Sequence, residues 1–282
     1  MPGHDVFLSH SAWDKEMARR LKTDLEVYGY TVWLDESELV VGSSLSPAIQ
    51  AAIRGCRFLA ALYSVNTIES VWVGRERRLA ADAGIPVIPI ALDAADPALI
   101  DSGSFYVDLT RPDDQHAYHR AFHDLLRRLG APTEVPSRLQ VYSDGLCRGW
   151  LNSSWQASCR ERVSYDGRSV AFRAELRPFG GIAFVFRSGI STAPFSSLRF
   201  SLHGGDPGGH KMKVFVNDRI GNGIRNPVAL DPLPSGQWCD YTLSLEELDA
   251  ENTIIFKVNW SHEQDELSGP LHLADVEFVS GS

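Results

Sequence analysis

The hydrophobic pattern of the chain changes near residue 138, and this change limits the fold that each half can adopt. Before it, apolar runs typical of buried strands alternate with segments of helical periodicity, joined by short connections. After it, short alternating runs follow one another, separated by Gly, Pro, Asn and Asp. The first pattern predicts a parallel sheet covered by helices on both faces. The second predicts an antiparallel β-sandwich or jelly roll.

The chain has 282 residues, which is enough for two domains with a core each. We predict an α/β domain over residues 1–130 and an all-β domain over residues 139–282. The segment between them, residues 131–138, contains two prolines and little periodicity, so it is predicted to be a linker.

Strand and helix patterns alternate through the first half. Strands are predicted over residues 5–9, 30–34, 57–63 and 86–92, and helices over 14–28, from 47 onward, over 71–83 and over 115–129. Asp14 is available as N-cap of the first helix, and Gly29 follows its end. Ser46 followed by Pro47 marks the start of the second helix.

Charge and composition exclude several classes of partner. The net charge of -9 argues against nucleic acid, because affinity for a phosphate backbone comes mainly from clustered Lys and Arg. No apolar stretch reaches the roughly 20 residues that a membrane-spanning helix needs, and residues 1–11 lack a secretory pattern. We therefore expect a cytoplasmic protein whose four cysteines are reduced.

Four segments of the first half resemble bacterial TIR domains in content and order. They are DVFLSHS (5–11), GYTVWLDE (29–36), VGSSL (41–45) and WVGRE (72–76). The resemblance implies a flavodoxin-like sheet in which the loop of residues 35–44 helps to form a nucleotide pocket and an assembly surface. In the NAD+-cleaving TIR proteins a WxxxE arrangement carries the catalytic glutamate, and Trp72 and Glu76 reproduce it.

Cleavage of the bond between nicotinamide and ribose in NAD+ can proceed with one carboxylate. Nicotinamide is attached as a cation and leaves as a neutral ring, so no general acid has to protonate it. A negative group beside the developing oxocarbenium ribose stabilises the transition state. Glu76 is predicted to be that group, beside a wall formed by Trp72 one helical turn earlier. The alternative is a core Trp72 and a surface ion pair between Glu76 and Arg75, Arg78 or Lys15.

Further residues are predicted to contact NAD+ as substrate. Ligands bind at the carboxyl ends of strands in open α/β sheets, and hydroxyl and backbone groups there suit phosphate or ribose. With Trp72, the predicted contacts are Ser9, His10, Ser11, Trp33, Asp35, Ser43 and Ser44. Ser11 fits equally a turn before Asp14, and Trp33 fits equally a core position.

The chain departs from the enzymatic relatives in two places. Some relatives have basic residues just after the first strand, where this chain has Ser11 and Ala12. Arg19, Arg20 and Arg54 are the candidates to neutralise the diphosphate instead. Relatives often have an aromatic residue shortly after Gly42, where Ser44 and Leu45 stand here.

The second half resembles carbohydrate-binding-module-like jelly rolls in the segments VYSDGL (141–146), GWLNSSW (149–155), LRFSLHGG (198–205), GGHKMKV (208–214) and LHLADVEF (271–278). Exposed aromatic faces bind sugars, so Trp150, Trp155, Trp238 and Trp260 are candidates for either sugar stacking or the core. Asp144 and Asp275 could supply oxygens to a structural Ca2+, but scattered acidic residues are usually solvated, and no metal site is predicted. There is no Cys/His metal spacing and no GxSxG, HExxH or Walker-type loop.

Three functions follow as hypotheses. The first is an NAD+ glycohydrolase that releases ADP-ribose or cyclises it, activated by self-association and regulated by the second domain as a sensor of a glycan or protein, in bacterial antiphage defence. The second is a non-enzymatic TIR scaffold or signalling mimic with a glycan- or protein-binding adaptor. The third is a cytosolic lectin that its TIR half oligomerises. In the first, NAD+ is a substrate, and no cofactor is required.

Overall fold

The computed structural model describes residues 3–34, 46–67, 71–93, 106–133, 135–218, 223–224, 226–262 and 269–281, without the side chains of Val71, Trp72 and Gln115. The chain divides into two compact units, Met1–Val135 and Pro136–Ser282. Within the described residues, every helix is too short or too polar to cross a membrane.

The first unit is built around a parallel sheet of five strands. They are β1 Val6–Ser9, β2 Val32–Leu34, β3 Phe58–Tyr63, β4 Val87–Ala91 and β5 Val107–Asp108. Their order across the sheet is β2-β1-β3-β4-β5, with parallel pairing throughout. This is the order of flavodoxin-like folds, so the predicted fold class is confirmed. Strand β5 was not predicted, because two residues show no periodicity.

Helices cover both faces of this sheet. In the described residues they are α1 Lys15–Val27, α2 Pro47–Gly55, α3 Val71–Asp82 and α4 Gln115–Leu129. Helices α1 and α4 pack on one face, and α2 and α3 pack on the other. Alternation along β1 separates the two cores, since Val6 and Leu8 belong to the first and Phe7 to the second.

The helix starts were predicted at the right places, but one cap differs from expectation. The hydroxyl of Ser46 accepts a hydrogen bond from the N–H of Ile49, as expected of an N-cap. Asp14 occupies the N-cap position of α1, yet its carboxylate makes no cap hydrogen bond. It accepts hydrogen bonds from Ser11 and Ser64 instead. A tertiary partner on the loop after β3 thus competes with the local cap.

A buried carboxylate joins the start of β1 to the residues after α4. Asp5 is 1% exposed and accepts hydrogen bonds from the N–H of Thr31 at 2.9 Å, the N–H of Thr133 at 3.1 Å and the guanidinium of Arg57 at 2.7 Å. Arg57 also donates to the carbonyl of Ala131 at 2.9 Å. Residues at the start of the predicted linker are therefore attached to the first unit.

The charge state of Asp5 depends on these donors. Burial by itself would raise the pKa of this carboxyl, but hydrogen bonds from Thr133, Thr31 and Arg57 outweigh it and lower the pKa from 3.8 to about 2. Because the folded pKa lies below the unfolded value, the resulting stability is complete above about pH 4 and is lost as the pH falls through about 2.

We predict that Asp5→Asn flattens the acid sensitivity of the first unit. The free energy that wild type loses between about pH 5 and pH 2 at this site is up to about 2 kcal/mol. The variant should be less stable at neutral pH, and its free energy of unfolding should lack this part of the pH dependence. Hydrogen exchange of the β1 amides as a function of pH measures it, and identical slopes for both proteins would contradict the prediction.

The described residues of the second unit form antiparallel strands and their connections. The strands are β6 Arg138–Tyr142, β7 Trp150–Asn152, β8 Trp155–Tyr165, β9 Arg168–Ser191, β10 Ser197–His203, β11 Met212–Asn217, β12 Val228–Ala229, β13 Trp238–Ser244, β14 Ile254–His262 and β15 Leu271–Val279. Seven lie in the order β12-β11-β14-β9-β15-β10-β13; β6 pairs with β15, and β7 and β8 pair with β9. The predicted all-β class is confirmed.

One long strand replaces two predicted ones. The sequence separates residues 169–176 from 182–186 because Pro178, Gly180 and Gly181 lie between them. In the structure β9 continues through this segment, since β8 pairs with its first part and β14 with its second. Gly181 is required there, because a Cβ atom would collide with the indole of Trp155.

Burial divides the four tryptophans of the second unit. Trp150 and Trp260 are 4% and 0% exposed, and their rings contact Phe186 and Phe184 respectively. Both are therefore core residues and not sugar platforms. Trp155 and Trp238 are half-buried.

Two buried histidines lie side by side on neighbouring strands. His203 of β10 pairs in register with His272 of β15, and both are at most 1% exposed. The ring of Tyr165 stacks on His272 with the ring centroids 3.6 Å apart. Burial first, and then the electrostatic influence of the neighbouring His203 and Arg173, lower the pKa of His272 from 6.5 to about 4.

We predict that His272 makes the second unit sensitive to mild acid. The unfolded chain takes up a proton first, so stability is present above about pH 6.5 and is lost as the pH falls through about 4, by about 3 kcal/mol in all. His272→Phe keeps an aromatic ring for stacking and should remove this slope. Hydrogen exchange of the β15 amides across this range measures it, and a variant with the wild-type slope would refute the assignment.

Candidate active site

Glu76 and Ser9 meet at the carboxyl edge of the parallel sheet. Ser9 is the last residue of β1, and Glu76 lies in α3, which covers the same face as Phe7. The hydroxyl of Ser9 donates a short hydrogen bond to Oε2 of Glu76. Both residues are buried, at 1% and 2% exposure. The parallel topology thus joins two residues that are 67 positions apart in the chain.

Helical spacing turns Glu76 toward the sheet. Val73 and Ala80 lie three residues before it and four after it, and both are buried as well. Arg75 and Arg78 are exposed on the other side of α3. Glu76 is therefore a buried residue on the inner face of α3, whereas the alternative considered from sequence placed its carboxylate at the surface.

A buried carboxylate at this edge is suited to stabilise a positive charge. The hydroxyl of Ser9 donates to it, and hydrogen bonds to carboxylates are among the stronger ones in proteins. Side chains that follow parallel strands converge at the same edge, where ligands of open α/β sheets bind. A fixed negative group there is worth more than in water when positive charge develops on a ligand.

Hydrogen bonds join the loops after β1, β3 and β4. Asp14 accepts hydrogen bonds from the hydroxyl of Ser11 at 2.5 Å and from that of Ser64 at 2.7 Å, and the amide of Asn66 lies 3.5 Å away. We name these four residues the Asp14 cluster. The backbone N–H of Val65 donates to Asp93 after β4 at 2.9 Å. The hydroxyl of Ser11 thus supports the loop, which agrees with its interpretation as a turn residue.

His10 presents an acceptor nitrogen next to Ser9. Its Nδ1 lies 2.8 Å from the carbonyl oxygen of Ser11. Because a carbonyl can only accept, Nδ1 carries the proton, and in the neutral ring Nε2 is then an acceptor. Nε2 is buried and has no hydrogen-bond partner among the described residues.

The other predicted contacts fall into two groups. Trp33 is half-buried and stacks on Phe7 with ring centroids 4.7 Å apart, so the structure gives it a core contact. Asp35, Ser43 and Ser44 lie outside the described residues. The backbone of Trp72 lies in the first turn of α3, one turn before Glu76. Its side chain is not among those that the structure describes.

Of the arginines considered for the diphosphate, Arg20 has a structural role. Its guanidinium donates to the carbonyl of Pro112 at 2.9 Å and lies 3.6 Å above the ring of Tyr118. Arg19 and Arg54 are exposed. Arg77 was not predicted as a candidate from the sequence, and its guanidinium lies 5.0 Å above the ring of Tyr63 at the end of β3. Its spacing gave no signal, because the tertiary fold alone brings this ring beneath it.

Comparison with known proteins supports the family resemblance of the first unit. A family model described as "TIR domain" matches residues 6–126. The 2' cyclic ADP-D-ribose synthase AbTIR of Acinetobacter baumannii (strain 1295743) is 36% identical over 76 residues. These residues are 27% of this chain and 28% of that relative, so the match spans little more than a quarter of either protein.

Solved structures similar to this chain include carbohydrate-binding modules. A family 29 module from Piromyces equi has a TM-score of 0.38 and 12% identity, over 51% of this chain and 91% of that one. A family 11 module of a cellulosomal cellulase from Clostridium thermocellum has a TM-score of 0.38 and 9% identity, over 52% of this chain and 97% of that one. The family match of the first unit includes both β1 and the helix that carries Glu76. Residues 6–126 of this chain therefore form a TIR domain.

Proposed function

We propose that the TIR domain cleaves NAD+ and that Glu76 is the essential carboxylate. The observation that carries the proposal is the position of Glu76, buried and hydrogen-bonded to Ser9 at the carboxyl edge of the sheet. A relative named as a cyclic ADP-ribose synthase supports the same chemistry. ADP-ribose is what remains of NAD+ after nicotinamide has left.

The reaction balances without a general acid. The bond between C1' of the ribose and the nicotinamide nitrogen breaks, and its electron pair neutralises the pyridinium ring. Positive charge then develops on the ribose as an oxocarbenium ion, which the carboxylate of Glu76 stabilises. Water adds at C1' and loses a proton to give ADP-ribose, or a hydroxyl of the same molecule adds and gives a cyclic product. The acceptor nitrogen of His10 is available in this loop for the released proton.

Regulation is the second part of the proposal. The TIR domain self-associates, and the loop of residues 35–44 of one copy completes the pocket of a neighbour. The second unit senses a glycan or a protein and controls this assembly, in antiphage defence. The division of the chain into two compact units supports such a separation of sensor and enzyme.

We predict that Glu76→Gln abolishes the release of nicotinamide from NAD+. The substitution removes the charge and nearly preserves the shape, so kcat should fall at least about 100-fold because the oxocarbenium ion loses its counter-charge. Product analysis of the purified full chain at increasing protein concentration measures the rate. Glu16→Gln, at an exposed glutamate of α1, is the matched control and should retain wild-type activity. Equal rates for Glu76→Gln and wild type would refute the catalytic assignment.

The same measurement separates the enzyme from a non-enzymatic scaffold. An assembled wild-type protein that releases no nicotinamide at any concentration would favour the scaffold. Nicotinamide release has to be measured at high protein concentration as well, because the proposed activity requires contact between copies of the chain.

Ser9 is proposed as a positioning residue for Glu76. Ser9→Ala removes only the hydroxyl that donates to the carboxylate, and hydrogen bonds to charged groups contribute about 1.5–3 kcal/mol. We expect kcat to fall about 10-fold with little change in the KM for NAD+, and Ser9→Thr to restore most of the activity. Steady-state kinetics of folded variants measures both constants. An unchanged kcat in Ser9→Ala would show that the contact has no part in the reaction.

A further inference from the structure

A large aromatic side chain is exposed to solvent where β1 ends, which is the edge of the sheet at which Glu76 of α3 lies. Trp13 is 83% exposed, more than any other large hydrophobic side chain in the described part of the chain. It lies in the 3-10 turn Ala12–Asp14, which connects β1 to α1. Single exposed apolar residues are common on protein surfaces, so the role of Trp13 has to be argued from its support and position.

The turn that carries Trp13 is fixed from below. The next residue, Asp14, is 9% exposed and belongs to the Asp14 cluster, which joins this turn to the loop after β3. The N–H of Asp14 also donates to the carbonyl of Ser11 at 3.1 Å. Because the backbone of this turn is already ordered, a ligand that contacts the indole binds with little loss of conformational entropy in the loop.

The position of Trp13 suits the far half of a dinucleotide. Trp13 follows Ser9 by four residues, and four residues span at most about 14 Å. If the nicotinamide ribose lies at Glu76, which Ser9 contacts, the rest of NAD+ extends along the carboxyl edge toward the connecting loops. The flat face of adenine can stack on an exposed indole, and such stacking contributes about 1–3 kcal/mol per base.

We propose that Trp13 stacks on the adenine ring of NAD+ and makes the site selective for adenine dinucleotides. This inference rests on the proposed function, because it takes the place of the reacting ribose from Glu76. Trp13 is then a specificity-determining residue that binds substrate and takes no part in bond cleavage. Its removal weakens binding and leaves the chemical step intact.

The test uses two substrates in the full chain. Nicotinamide mononucleotide contains the same scissile bond as NAD+ and has no adenine. Trp13→Ala should raise the KM for NAD+ about 10-fold, leave kcat unchanged and leave the kinetics of nicotinamide mononucleotide unchanged. Trp13→Phe should retain most of the affinity for NAD+. Val135→Ala, at an apolar residue that is 62% exposed and follows Thr133 of the Asp5 network, is the matched control and should behave as wild type on both substrates.

Three outcomes would overturn the inference. One is an unchanged KM for NAD+ in Trp13→Ala. Another is an equal loss on both substrates, which would place Trp13 near the shared nicotinamide half. The third is a lower oligomeric state of Trp13→Ala by size-exclusion chromatography that accounts for the loss, which would make Trp13 a contact between copies of the chain.

Calorimetric titration with AMP separates this inference from the proposed function. AMP carries the adenine and has no nicotinamide, so its binding does not require catalysis. Trp13-dependent binding of AMP by a wild type that leaves NAD+ intact would refute the enzyme and support the stacking site. Cleavage of NAD+ together with AMP binding that is the same in wild type and Trp13→Ala would support the enzyme and refute the stacking site.

Discussion

A buried carboxyl group needs hydrogen-bond donors, and the first unit supplies them at both ends of one strand. At the start of β1, Asp5 is surrounded by Thr31, Thr133 and Arg57. At the end of β1, Ser9 donates to Glu76 on α3. The first network stabilises the fold by attaching residues after α4 to the sheet. The second places a negative group at the edge where ligands of such sheets bind.

The Asp14 cluster gives this edge its rigidity. A carboxylate in the N-cap position of a helix would ordinarily bond to the first helical N–H groups, but here Ser11 and Ser64 donate to it instead. The result is a connection between the loops that follow β1 and β3, with Trp13 exposed above it. Function in α/β folds often resides in such loops on a fixed scaffold, and both Trp13 and the buried Ser9–Glu76 contact lie where β1 ends.

The second unit has to accommodate polar rings in its interior. Both ring nitrogens of His203 have hydrogen-bond partners. Nδ1 accepts from the N–H of Gly205 at 2.9 Å. Nε2 therefore carries the proton and lies 3.0 Å from the carboxylate of Asp166. His272 has no hydrogen-bond partner on either ring nitrogen among the described residues and packs under Tyr165. A neutral ring is favoured there, because burial and the neighbouring His203 and Arg173 oppose a positive charge.

Periodicity by itself determined the two fold classes and the starts of the helices, because each depends on the repeat or the ends of one element. It left the direction of Glu76 open, and only the packing of α3 on the sheet buried that side chain. The length of β9 could not be predicted from periodicity, because β8 pairs with β9 on both sides of residues 177–180 and β14 pairs with it from Gly181 onward. The strand therefore continues past a proline and glycines that usually end one. The hydrogen-bond partner of Glu76 could not be predicted from periodicity either. Sequence placed Ser9 and Glu76 in one site, but only the packing of α3 on β1 decided that the serine hydroxyl faces the carboxylate. The exposure of Trp13 was decided in the same way, because residues far away in the chain fix the turn that carries it.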